Sequence, residues 1–313
     1  MTDLRLKKRE LFASIGYEPH PGQVLVHRST AKRRVLICGS RWGKSMCAAY
    51  EVVAALLEPR PKSIGWLVAP NYDSTDRIFK RVVDVMEAHY RHRIRDLVPR
   101  EHRIIVTNLR GGVSELRAKT ADNPTSLLGE GLDWLVVDEA ARLKRAIWDE
   151  HLSQRLIDRN GWALLVSTPC GKNWMYSVFK RGQDGHTAEH ESWCSPSWEN
   201  PHLDRTIIEA QRSLLGEDAF AQEYGAEFIG RDDEPCPVCK GPSALVEGCI
   251  VIEEGEEVPT CRECGGAVNA DGHTVVGLGI DGQPILLVIE ECGYDGSDAP
   301  PMDPSMREPA TSP

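Results

Sequence analysis

Apolar residues gather along this chain in a few short, unbroken runs, each closed by polar residues, glycine or proline. Val35-Leu36-Ile37-Cys38, Ile64-Gly65-Trp66-Leu67-Val68-Ala69, Trp134-Leu135-Val136-Val137 and Trp162-Ala163-Leu164-Leu165-Val166 are runs of this kind. Short apolar runs without alternation predict strands buried on both faces, as in a parallel sheet. Helical spacing fills the gaps. The alanine-rich stretch 44–57 predicts one helix. Ile78, Val82, Val85 and Met86 share one face of a second that runs to about Tyr90, with Asp73 or Ser74 placed to cap it. Residues 4–15 read as a short basic helix whose Arg5, Lys7, Lys8 and Arg9 form a solvated face. Residues 103–107 and 113–119 flank Gly111-Gly112 as a hairpin, and 120–130 is loop.

What closes these runs carries chemistry. After Cys38, the loop Gly39-Ser40-Arg41-Trp42-Gly43 leads into Lys44-Ser45 at the head of the alanine-rich helix. In a strand, glycine loop and helix of this kind, loop amides and the helix N-terminus attract phosphate oxygens. The lysine ammonium reaches the β- and γ-phosphates, and the neighbouring hydroxyl ligates Mg²⁺. The full pattern wants glycine at position 38, where this chain has Cys38; its loop glycine comes one place later. The run 134–137 ends in Asp138-Glu139, 94 residues beyond Lys44. Hydrolysis of a triphosphate needs one acid to hold the metal and another to orient and deprotonate the attacking water. A helix-capping role accounts for one acid better than for two at a strand tip. The run 162–166 closes on Ser167-Thr168-Pro169, hydroxyls that suit sensing of the γ-phosphate or, taken alone, simple strand-end capping. Gln23 ends the Pro- and Gly-rich stretch 17–23; its amide suits an adenine edge and equally suits an ordinary surface position.

Charge and cysteine usage divide the chain. Net charge is −10, but residues 231–313 hold 4 Lys/Arg against 17 Asp/Glu, so the preceding 230 residues are mildly basic. Nucleic-acid binding by that larger part is therefore not excluded. Of the ten cysteines four are scattered as far as Cys194, and four of the six that follow fall in CxxC pairs, Cys236 with Cys239 and Cys261 with Cys264. In a reducing compartment, two CxxC knuckles 21 residues apart point to a structural Zn²⁺ in a zinc ribbon. No apolar run approaches membrane length and the N-terminus has no apolar signal core, which predicts a protein that stays in the cytoplasm where it is made.

Buried strands separated by helices, each ending in a polar loop, define an α/β class. The expected fold is a RecA-like P-loop NTPase, a mainly parallel sheet flanked by helices with its site at the strands' carboxyl ends. Six motifs carry a resemblance: CGSRWGKS at 38–45, LVAPNY at 67–72, LVVDEA at 135–140, LVSTPCGKNWMY at 165–176, SWENPHLD at 197–204 and AFAQEYGAEF at 219–228. On these the chain resembles the ATPase domain of the large subunit of tailed-phage terminases, the motors that pump DNA into procapsids. The resemblance covers residues 15–230, and an altered P-loop with an internal arginine is a trait of that family. It implies that Gln23 contacts adenine and that Gly39, Ser40, Arg41, Trp42, Gly43, Lys44 and Ser45 bind nucleotide. Arg41 would sense or stabilise the γ-phosphate, Ser45 and Asp138 would hold Mg²⁺, Glu139 would be the catalytic base, and Thr168 would couple hydrolysis to movement. Residues 197–204 and 219–228 look like the family's domain-closing segment. A trans-acting arginine finger is not assigned; Arg117, Arg142 and Arg145 are candidates that read equally as surface arginines. The implied partners are double-stranded DNA, the procapsid's portal protein, a small terminase subunit and further copies of the chain in a ring, in the host cytoplasm.

Past Gly230 the resemblance stops. Family members continue into a ribonuclease-H-like nuclease, for which the remaining 83 residues are too few at ordinary domain size. The expected division is an ATPase domain at 1–230, a zinc-ribbon-like β module at 231–292 and a disordered tail at 293–313. Within the module, 274–280 and 284–289 would pair as a hairpin around Asp281-Gly282. A separate subunit would then supply the nuclease, or the chain is a truncated or split product. Two rivals differ in class. A helicase-like translocase needs a second RecA-like domain, which the sequence after 230 does not offer. A zinc-dependent DNA-binding or assembly adaptor with a decayed ATPase would not need Lys44, Ser45, Asp138 and Glu139, all of which are present.

Overall fold

The apolar runs form the middle of an eight-stranded sheet. The computed structural model describes residues 6–183, residues 189–230 and four short strands beyond them. Two units divide the chain after Gly230. The first opens with helices α1 (Lys8–Ser14) and α2 (Pro21–Arg28), then strand β1 (Arg33–Cys38), helix α3 (Lys44–Leu57), strand β2 (Lys62–Ala69) and helix α4 (Tyr72–Tyr90). Strands β3 (Ile94–Val98), β4 (Arg103–Thr107), β5 (Val113–Thr120), β6 (Trp134–Asp138) and β7 (Trp162–Ser167) follow. Helix α5 (Trp174–Gln183), strand β8 (His190–Ser195) and the short helices α6 (Arg205–Ala210), α7 (Arg212–Leu215) and α8 (Glu217–Glu223) complete it.

The spatial order is β3-β4-β5-β2-β6-β7-β1-β8. Strands β5, β2, β6, β7, β1 and β8 pair in parallel, and β3, β4 and β5 form an antiparallel edge. Alternate side chains of each central strand enter opposite layers, which is why the runs are apolar throughout. Leu36 and Cys38 face the layer that contains α1, α3 and α4, whereas Val35 and Ile37 face the layer of Ile147, Trp148, Leu152 and α5.

Strands at 35–38, 64–69, 134–137 and 162–166 and the helix Lys44–Leu57 lie where the apolar pattern places them. The differences are local. Helix α4 is capped by Asn71, whose side chain accepts from the Ser74 N–H at 3.0 Å, and not by Asp73 or Ser74. The two edge strands are not announced by the pattern: β8 has few apolar residues, and in β3 Arg95-Asp96 interrupts Ile94, Leu97 and Val98. The basic helix is shorter than expected, and Lys8 does not join a solvated face: its ammonium lies 2.7 Å from a carboxylate oxygen of Glu51, which is wholly buried.

In the second unit, Cys249–Val251 (β9) pairs antiparallel with Ile285–Leu287 (β12), and Ala267–Val268 (β10) pairs with Thr274–Val275 (β11). The expected pairing of 274–280 with 284–289 is therefore replaced, among the described residues, by partners earlier in the chain. Cys236, Cys239, Cys261, Cys264 and the stretch 293–313 lie outside the described residues. Among the described residues, no helix is long and apolar enough to cross a membrane, and no group of three His, Cys, Asp or Glu is placed to hold a metal.

Candidate active site

Parallel strands deliver their carboxyl ends to one edge of the sheet, and β1, β7 and β6 are neighbours there. The loop after β1 turns twice through left-handed backbone, at Arg41 (φ 64°) and at Gly43 (φ 108°), before α3 begins at Lys44. Gly43 takes that conformation without strain, and a Cβ there would press on the Gln23 amide nitrogen at 2.7 Å. The first turn of α3 presents amides that have no acceptor within the helix, an electropositive end suited to an anion.

Lys44 is buried at 8% exposure, and its ammonium donates to the carbonyls of Cys38 and Gly39 and to the Thr168 hydroxyl, at 3.1, 3.1 and 2.9 Å. Burial pushes its pKa below the usual lysine range, opposed by the nearby carboxylates of Glu139, Asp138 and Glu223. The Ser45 hydroxyl lies 3.4 Å from Asp138 Oδ2. Asp138 ends β6 at 3% exposure, and its Oδ1 is buried with no hydrogen-bond partner. Burial, together with the charge of Glu139, raises its pKa to about 6. Glu139 adopts a left-handed backbone (φ 50°), which turns its side chain out of the strand's alternation; its Oε2 is buried without a hydrogen bond and sits 3.4 Å from Arg142 Nε.

The structure thus brings Lys44, Ser45, Asp138, Glu139 and Thr168 to one place from three separate strand ends. A hydroxyl beside a carboxylate with one unpartnered buried oxygen is a hard-oxygen set of the kind Mg²⁺ takes, so these residues fit that ion. Gln23 is buried and already used: its Oε1 accepts from the His20 N–H and its Nε2 donates to the Gly43 carbonyl, both at 3.1 Å. Its amide braces the loop, and a base reaching it would have one remaining N–H to meet. Arg41 is exposed. Of the three other arginines, Arg117 is held by Glu115 and Glu130 at 2.6 and 3.0 Å, Arg145 by Asp149 at 2.9 Å, and Arg142 alone touches a residue of the cluster.

Other residues of the quoted motifs take part through contacts that the sequence does not specify. The Ser167 hydroxyl accepts from the Ala141 N–H at 3.2 Å. Asn173 donates to the Ala141 carbonyl and the Trp174 indole to the Leu143 carbonyl, both at 2.7 Å. Thus the segment that follows β7 clamps the turn that carries Glu139. From the C-terminal side, Gln222 of α8 accepts from the Gly171 N–H at 2.8 Å, and the Glu223 carbonyl accepts from the Ser40 N–H at 2.6 Å.

Residues 35–235 match the family described as terminase large subunit, T4likevirus-type, N-terminal. The chain belongs to that family. The large terminase subunit of Thermus phage G20c is 37% identical over 250 residues, covering 72% of this chain and 51% of that protein. This chain therefore spans about half the length of that relative. The ATPase domain of the Thermus phage P74-26 large terminase shares 36% identity at a TM-score of 0.65, covering 70% of this chain and 98% of that one. A large terminase from a thermophilic bacteriophage, solved in complex with ADP, shares the fold at a TM-score of 0.51 and 12% identity, over 71% of this chain and 53% of its own. For the terminase N-terminal region, then, the eight-stranded sheet described above is the family's own architecture.

Proposed function

We propose that residues 1–230 are a Mg²⁺-dependent ATPase that drives double-stranded DNA into a viral procapsid. The observation that carries the reading is the meeting of Lys44 with Thr168 and of Ser45 with Asp138, which joins the P-loop to the tips of β7 and β6. The likeness to the P74-26 ATPase domain, over nearly all of that domain, supports it, as does the ADP bound by the thermophilic bacteriophage protein of the same fold.

In this reading Lys44 and the first-turn amides of α3 hold the β- and γ-phosphates. Ser45 and Asp138 hold Mg²⁺, which neutralises charge on the triphosphate. Glu139 accepts a proton from the attacking water, its carboxylate oriented by Arg142 3.4 Å from Oε2. Arg41 offsets negative charge on the γ-phosphate. Thr168, on Lys44, registers whether that phosphate is present. DNA, the portal, a small subunit and further copies of the chain in a ring are the partners this function requires. A basic edge supports the DNA partner: residues 77–110 hold nine Lys/Arg against four Asp/Glu, with Lys80, Arg81, Arg91, Arg95 and Arg100 exposed. A zinc ribbon at Cys236, Cys239, Cys261 and Cys264 rests on the spacing of those residues alone.

Steady-state phosphate release and nucleotide binding test the central reading. Lys44→Ala should remove both. Glu139→Gln should lower turnover by about 10²–10⁴-fold while ADP still binds. Wild-type turnover in the Glu139→Gln protein would refute the assigned base.

A further inference from the structure

From the last residue of β8 toward α6 runs the segment Ser195-Pro196-Ser197-Trp198-Glu199-Asn200, apart from the tips of β6 and β7 that meet at Lys44 and Ser45. It holds four consecutive residues of the phosphate loop. The Ser195 carbonyl accepts from the Gly39 N–H at 3.0 Å. Ser197 Oγ donates to the Ser40 carbonyl at 2.6 Å, and Asn200 Nδ2 donates to the Arg41 carbonyl at 2.9 Å. The Trp42 indole, 1% exposed, donates to Ser195 Oγ at 2.8 Å, and Ser195 in turn donates to the Glu199 carboxylate. A Cβ on Gly39 would collide with Ser197 Oγ and the Tyr224 carbonyl, so the loop and the strap are in direct contact.

The peptide geometry gives these bonds a direction. In a trans peptide the carbonyl and the following N–H point opposite ways, and no cis peptide occurs among the described residues. Anchoring the Ser40 and Arg41 carbonyls on the strap therefore turns the Arg41 and Trp42 amides to the other side. The Trp42 amide closes onto the Gly39 carbonyl at 3.3 Å, and the Arg41 amide is left facing away from the strap. Arg41 meanwhile sits at φ 64°, a conformation an arginine keeps only when its surroundings impose it. Three non-glycine residues stand in a loop whose shape glycines commonly permit.

We infer that Asn200 and Ser197 are positioning residues of the nucleotide site, which shape the phosphate loop by holding the Arg41 and Ser40 carbonyls. The inference rests on the proposed nucleotide-binding function and adds to it the part that imposes the loop's conformation. Asn200 is itself fixed: its N–H donates to the Ser197 carbonyl at 3.1 Å, and its Oδ1 accepts from the His202 N–H at 2.9 Å. Asn200→Asp keeps that acceptor but sets a carboxylate oxygen against the Arg41 carbonyl, whereas Asn200→Ala removes the donor without adding charge, so a loss of ADP affinity shared by both variants reports the lost donor.

The test uses the full chain, a fluorescent ADP analogue and hydrogen exchange without nucleotide. Asn200→Asp and Ser197→Ala should each weaken ADP binding by about tenfold or more, the worth of a hydrogen bond to a preorganised loop. Exchange of the amides at 39–43 should speed up while those of 134–138 and 162–167 stay as in the wild type, an outcome that general destabilisation would not give. Asn200→Ala serves as the second donor-free variant should the aspartate protein fold poorly. Combining Asn200→Ala with Ser197→Ala should cost less than the product of the single effects, because both act on one loop conformation. Wild-type ADP affinity in both Asn200 variants, or faster exchange spread over all three regions, would overturn the inference and leave the nucleotide site standing. Failure of the wild-type chain to bind ADP would instead overturn the nucleotide reading, and this one with it.

Discussion

Asp138 is 3% exposed, and its Oδ1 meets no donor while Ser45 lies 3.4 Å from its Oδ2. Burial and the neighbouring Glu139 lift its pKa from 3.8 to about 6. The folded state then holds this proton more tightly than the unfolded chain does, so Asp138's contribution to stability is favourable at low pH and is lost as pH rises toward 6. In the nucleotide-free protein, the stability of wild type relative to Asp138→Asn should fall by up to roughly 3 kcal/mol between pH 4 and 7. Urea denaturation at a series of pH values measures this, and a difference independent of pH would remove Asp138 as the titrating group. A carboxylate that resists ionisation when alone is one that a cation can stabilise, which is the property a Mg²⁺ ligand needs. Next to it, Glu139 keeps a left-handed backbone beside Arg142, with the turn that follows held by Ser167 and Asn173.

Helix α3 links the loop to the core through its buried Glu51. Complete burial pushes the Glu51 carboxyl up, and Arg34, Lys8 and His27 outweigh that effect and leave it well below the ordinary range. The contacts are short: Arg34 at 2.6 Å, with Lys8 and His27 at 2.7 Å. Glu51→Gln leaves Arg34 and Lys8 without their counter-charge and should cost about 3–5 kcal/mol in chemical denaturation. Glu10→Gln, which breaks an exposed pair with Lys7, should cost less than about 0.5 kcal/mol in the same assay. This scale also shows where the sequence was legible. Strands β1, β6 and β7 bury both faces, so their composition is distinctive, and Lys44, Asp138 and Thr168 follow from lying at or just beyond their ends. Edge strand β8, with Trp193 and Cys194 among polar residues, pairs only with β1 and lacks that signature. Ser195, Ser197 and Asn200 act through single hydrogen bonds to backbone, which no spacing or composition encodes. Lys8 looked solvated because its partner lies 43 residues away.

For the molecule as a whole, charge and site fall in different places. The basic stretch 77–110 occupies α4 and the antiparallel edge β3–β4, separated from β1 by β5, β2, β6 and β7. If this edge holds DNA, Arg91→Ala with Arg95→Ala should weaken binding of a short duplex and flatten its dependence on salt, the slope falling by about one for each phosphate no longer neutralised. ATP turnover without DNA should be unchanged; an unaltered salt slope would exclude the edge. The sheet order has one more effect. Strand β1 lies between β7 and β8, and its loop is gripped by residues as far along as Glu223. A ribosome adding about 5–20 residues per second needs roughly ten to forty seconds to travel from Cys38 to Glu223. For most of that interval, until β7 is made at 162–167, the nascent Val35–Cys38 stretch lacks both of its strand neighbours, and β8 and Glu223 follow later still. Until Glu223 has been made the nucleotide loop is unfinished, and ATP cannot help the domain fold before nearly all of it has been translated.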